Sequence, residues 1–104
     1  MASVGQPYSS GSWVVKEGSE TEFVARWTRF ITWSKENAPG AESFHLIQDA
    51  QDPRRYLSFG RWSDAGAVSA WKERPEFKQL LGECRELCED FASRDYTLAS
   101  SVGA

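Results

Sequence analysis

Tyr56, Ser58, Gly60 and Trp62 alternate along Arg55 to Trp62 (RYLSFGRW). Residues two apart on an extended strand share one side, so a phenol, a hydroxyl and an indole would face the same space, with a glycine leaving room between them. Such groups orient a ligand oxygen by hydrogen bonding. Tyr56 could donate to a phenolate or carbonyl, or pack with its hydroxyl at a rim. His45 is the sole histidine, the side-chain type that ordinarily titrates near neutrality. It would be a general base if its strand turned it towards a ligand, and an inert surface group if it faced away. Phe44 and Leu46 must point opposite to it, but alternation alone leaves the side open.

Other chemistries lack their residues. One histidine, two cysteines and no carboxylates clustered on a shared face supply neither a transition-metal site nor a Ser-His-acid arrangement, and no metal is expected. Arg54-Arg55 follows Asp52-Pro53 in a turn without the glycine loop that cradles phosphate, so no nucleotide site is expected. Cys84 and Cys88 fall four apart on a predicted helix, with Cβ atoms about 5–6 Å apart where a disulfide needs about 3.8 Å. They read as reduced core thiols.

The formal charge of −3 and pI of about 5.1 oppose binding to nucleic acid or an anionic membrane, which call for a basic face. No apolar run approaches the roughly 20 residues that span a bilayer. Met1 to Ser12 lacks the basic start and apolar core of a secretory signal, and a cytoplasmic protein is expected. A length of 104 residues suits one domain, and 40% hydrophobic residues, with five Trp and six Phe, suffice for a core.

The elements that would position these residues follow from periodicity. Residues 1–11 (MASVGQPYSSG) are rich in Ser, Gly and other small or polar types and predict a flexible leader, leaving residues 12–104 as the domain. Ser12 to Lys16 (SWVVK) predicts a first strand, stopped by Glu17-Gly18. Ser19 to Glu22 (SETE) predicts a capping box, and Phe23, Trp27, Phe30, Ile31 and Ser34 an amphipathic helix over Glu20 to Asn37 that ends before Pro39-Gly40. Ala41 to Gln48 and Arg55 to Trp62 predict an antiparallel hairpin. Ser63 or Asp64 would cap a helix carrying Val68 and Trp71, broken at Arg74-Pro75. Phe77, Leu81, Cys84, Cys88 and Phe91 form a helical stripe, and Asp95 to Ser101 predicts a last strand. The order is that of a ferredoxin-like βαββαβ α+β domain, an antiparallel sheet with helices on one face. Leu57 and Phe59 fall on one side of the third strand and Tyr56, Ser58, Gly60 and Trp62 on the other, so the helices would cover one set and burying the other calls for a homodimer through the open sheet face.

On Pro39-Gly40, Asp52-Pro53, Trp62-Ser63, and Trp71 followed by Pro75-x-Phe77, residues 12–98 resemble the antibiotic biosynthesis monooxygenase family of the dimeric α+β barrel superfamily. The resemblance implies a small homodimer with a cavity between sheet and helices. Its wall would hold Tyr56, Ser58, Gly60 and Trp62, joined by Trp13 and Val15 and closed by Trp27, Phe30, Trp71, Phe77 and Leu81. The same aromatic stripes would equally make a filled core. Members include haem-degrading enzymes and cofactor-free oxygenases of quinol- or anthrone-like aromatics. The haem-degrading members use an Asn, a Trp and a His; Trp62 matches the Trp, but Gly11 and Leu81 stand at the other two positions, and that route is not expected. The anthrone oxygenases use an Asn four residues before the matching Trp, where this chain has Ser58. The resemblance thus implies a monooxygenase with no cofactor, Trp62, Tyr56 and Ser58 orienting an aromatic substrate. The alternative is a non-catalytic dimer that binds a small apolar ligand or merely pairs.

Overall fold

The computed structural model describes residues 3–103. Its elements run β1 (Pro7–Val15), α1 (Glu20–Asn37), β2 (Ala41–Gln48), β3 (Arg55–Trp62), α2 (Ala65–Glu73), α3 (Pro75–Arg85) and β4 (Cys88–Thr97). The strands form one antiparallel sheet in the order β2-β3-β1-β4, with the helices on one face, the ferredoxin-like α+β arrangement.

The long helix α1 buries Phe23, Trp27, Phe30 and Ser34, a stripe at four- and three-residue spacing that faces the sheet. It stops where Ala38 turns extended, as the residue before a proline prefers. Gly40 follows at φ +92°, and a Cβ there would come within 2.7 Å of both Ala67 and Ser63, so the turn into β2 needs glycine. The expected capping box does not form: the Ser19 side chain makes no cap bond, and the turn closes instead through Ser19 N donating to Lys16 O at 3.0 Å. At α2, Asp64 rather than Ser63 is the cap, accepting from Ala67 N at 2.8 Å. Arg74 is extended before Pro75, which starts α3 and breaks the helix as expected.

Both ends of the sheet differ from the sequence-based expectation. β1 starts at Pro7, so Pro7 to Gly11 of the expected flexible leader are central strand, bonded to β3 on one side and β4 on the other. Apart from Tyr8 these residues carry no strand signal, and two flanking backbones supply the order. Met1 and Ala2 of that leader lie outside the described residues. At the other end the helical stripe stops at Cys84. Cys88 and Phe91 belong to β4, which runs ahead of the expected Asp95 to Ser101. The three- and four-residue spacing is coincidental there, and Phe91 is placed by pairing with Trp13, ring centroids 4.3 Å apart.

Alternation along β3 holds as expected. Tyr56, Ser58, Gly60 and Trp62 are buried towards the helices, while Leu57 and Phe59 face outward. β1 follows the same rule, with Ser9, Gly11, Trp13 and Val15 inside.

Candidate active site

A cavity of about 60 Å³ lies between the inner sheet face and the helices. One water needs about 10–15 Å³ of such space, so the cavity holds several, while a drug-sized ligand would need it to open. Ser9, Gly11 and Trp13 of β1 with Ser58 and Gly60 of β3 make the floor. Trp27, Phe30 and Ile31 of α1, Trp71 of α2, and Phe77 and Leu81 of α3 make the roof. Phe44 of β2 and Phe91 of β4 stand at the sides, and Ser93 lies at the exposed end.

The floor is low at Gly11 and Gly60, which carry no side chain. A Cβ on Gly11 would meet Trp13 Nε1 at 2.8 Å and Ser58 Oγ at 2.9 Å; one on Gly60 would meet the Phe44 ring at 2.2 Å. Phe44 thus lies over its strand partner Gly60 and packs edge-on to Trp62, ring centroids 5.5 Å apart.

Three buried indoles between sheet and helices are each paired with a serine. Trp13 Nε1 donates to Ser58 Oγ at 3.0 Å, Trp62 Nε1 to Ser9 Oγ at 3.0 Å, and Trp71 Nε1 to Ser34 Oγ at 2.9 Å. Each satisfies an indole N–H that would cost about 1–3 kcal/mol if left bare. No side chain lining the cavity is a carboxylate, amine, guanidinium, imidazole, thiol or phenol.

Of the residues singled out from the sequence, the structure brings Ser58, Gly60, Trp13, Trp27, Phe30, Trp71, Phe77 and Leu81 to the cavity. Val15 is buried in the core but does not line it. Trp62 is 0% exposed, set behind Phe44 and Trp71, and reaches the cavity only through Ser9. Tyr56 lies beyond the cavity, its ring against Phe23 and its hydroxyl accepting from Gln48 Nε2 at 3.0 Å. Burial raises its pKa, with the Glu20 charge adding to the rise and the Gln48 bond opposing it, so the phenol stays neutral. His45 is exposed on the outer sheet face beside Phe59, away from the cavity.

Sequence reasoning missed Ser9, Ser10, Gly11, Ile31, Phe44, Phe59, Phe91 and Ser93 as lining residues. Counting back in twos from Trp13 reaches Gly11 and Ser9, a signal hidden by ending the strand at Ser12. Phe44 becomes legible only from its pairing with Gly60, a long-range fact.

The cysteines are free thiols. Burial pushes Cys84 to about 12 and Cys88 to about 11, so neither is a thiolate near neutral pH. Among the described residues no group of three or more His, Cys, Asp or Glu could hold a metal ion, and no helix is long and apolar enough to cross a membrane.

Against known proteins, the model of the antibiotic biosynthesis monooxygenase family matches residues 11–82. SnoaB, a cofactor-independent oxygenase from Streptomyces nogalater, superposes with a TM-score of 0.86 at 17% identity, over 96% of this chain and 99% of its own. A conserved protein from Methanosarcina mazei Go1 gives 0.80 at 16% identity over 91% and 94%. An antibiotic biosynthesis monooxygenase gives 0.75 at 13% over 90% and 99%. At these identities the likeness to solved structures is one of fold. Sequence comparison with curated proteins finds no match.

Proposed function

Since the chain belongs to the antibiotic biosynthesis monooxygenase family, we propose that it is a cofactor-independent monooxygenase of a small aromatic, quinol- or anthrone-like substrate, bound in the pocket between sheet and helices. The observation that carries this reading is a cavity walled by aromatic rings, with serine hydroxyls and no ionisable side chain. Such a site suits a substrate that brings its own reducing power. A ring methylene plus dioxygen becomes a ring carbonyl plus water: the substrate's carbanion reduces dioxygen, and both ring protons leave in the water. The protein supplies orientation and a cavity from which the bound substrate excludes water. By the family resemblance Ser58 stands where the anthrone oxygenases have an Asn, and its hydroxyl can hold a substrate oxygen there.

Purified protein with a panel of anthrones and quinols, without added cofactor, is expected to consume oxygen one-for-one with product formed, against a boiled control. Ser58→Ala should slow the reaction about three- to tenfold, the worth of one neutral hydrogen bond. The same lack of an ionisable group favours a second reading, a non-catalytic binder of small apolar molecules. Saturable binding without oxygen uptake across the panel would establish it in place of the first.

The outer sheet face supports a homodimer. Ile47, Leu57 and Tyr96 are 51%, 43% and 55% exposed there, with Phe59 and His45 between them. Pairing two such faces would remove this apolar area from water. Leu57→Asp is expected to halve the mass in sedimentation equilibrium while keeping the far-ultraviolet circular dichroism; an unaltered mass refutes this interface. Free thiols suit a reducing compartment, and the cytoplasm is the compartment we assign.

A further inference from the structure

We propose that Ser9 anchors a ligand oxygen in the cavity and that Trp62 is a positioning residue acting through it, an inference that rests on the cavity being a ligand site. Each of the three serines that accepts from an indole still has its own proton to give. Ser34 gives it to Phe30 O at 2.9 Å and does not line the cavity. Ser58 reaches Gly11 O only at 3.4 Å, long for a hydroxyl donor. Ser9 lines the cavity, is 7% exposed, and among the described residues has no acceptor for its proton. A buried hydroxyl proton without an acceptor is costly, and the open space in front of Ser9 is where an acceptor belongs.

The chemistry of that acceptor follows from the walls. Rings above and beside the floor favour a flat apolar body, and a hydroxyl that must donate selects a ketone or phenolate oxygen on it. Ser9 stands opposite Gly60, and Ser58 opposite Gly11, so the two hydroxyls sit diagonally across the β1–β3 pair, roughly 7 Å apart. Ser9 is therefore a point of attachment separate from Ser58. Trp62 does not touch the cavity. Its indole N–H occupies a lone pair of Ser9 Oγ, which turns the serine proton away from Trp62 and strengthens it as a donor.

The test compares 1-tetralone with tetralin, the same bicycle with and without the ketone, by NMR titration of the full chain. Ser9→Ala is expected to lower the ketone-to-hydrocarbon affinity ratio about three- to tenfold relative to the native protein. Ser9→Thr, which keeps the hydroxyl, should retain the native ratio. Trp62→Phe should lower the ratio although Ser9 is present, an effect that a purely packing role would not produce. An unchanged ratio in Ser9→Ala overturns the proposal while leaving the ligand site standing, and an unchanged ratio in Trp62→Phe removes Trp62 from it. Failure of the native protein to bind either compound overturns both the proposal and the site.

Discussion

Trp62→Ala is expected to cost about 3–5 kcal/mol of stability, roughly 15–30 °C in melting temperature for a chain this long. Trp62 is 0% exposed at the end of β3, with ring centroids of Phe44 at 5.5 Å and Trp71 at 4.7 Å. Truncation removes the largest fully buried side chain and leaves Ser9 Oγ without its indole donor. Neither neighbour can fill the gap easily. Phe44 is fixed over Gly60, and Trp71 is bonded to Ser34 through its own N–H and stacked at 7° on Phe30. Urea and thermal denaturation measure the loss. A cost below about 1 kcal/mol would mean that the site collapses around the missing ring, and that Trp62 is replaceable filling.

Gly60→Val is expected to abolish ligand binding and to cost about 1–3 kcal/mol by overpacking. The first added carbon would lie 2.2 Å from Phe44 Cδ2 and 2.3 Å from Cε2, so the ring has to move. Trp62 and Trp71 block it on their side, and the cavity is the free space. The ring would therefore enter the volume meant for ligand. Pairing the change with Phe44→Ala provides the check. If displacement of this ring is the cause, the two substitutions are strongly non-additive, and the double variant binds ligand better than Gly60→Val alone. Additive losses would place the damage in the β3 backbone.

What was legible in the sequence depended on local pattern. The alternation of Tyr56, Ser58, Gly60 and Trp62 grouped one face of β3, which the family resemblance turned towards the helices, and Phe23, Trp27, Phe30 and Ser34 marked the buried stripe of α1, because a strand or helix facing a core repeats with its own period. Pro75 marked the break between α2 and α3. Ser9 and Gly11 were misread because Ser and Gly signal mobility in isolation, and only two flanking strands make them central sheet. Cys88 and Phe91 were misread because helical and strand spacings overlap over so few residues. Within the site, the face of Tyr56 and Trp62 was legible but their reach was not: whether an inward side chain touches a cavity or is walled off depends on rings from α1, α2 and β2. His45 was undetermined for a related reason, since alternation gives relative sides and only packing says which is inside.

The place of β1 at the centre of the sheet bears on how the chain acquires its structure. Its pairing with β4 joins Pro7 to Thr97 and Trp13 to Phe91, nearly the whole length of the polypeptide. β3, its other neighbour, is also separated from it by α1 and β2. Such long loops close slowly, and on a ribosome β1 emerges first among the strands and waits for both partners. During that wait Trp13 and Val15 have no sheet to bury them, so the nascent chain presents a sticky, half-made edge until β4 is released. Refolding of the full chain should accordingly proceed by late sheet closure, with helix signals gained before the Trp13 environment becomes native.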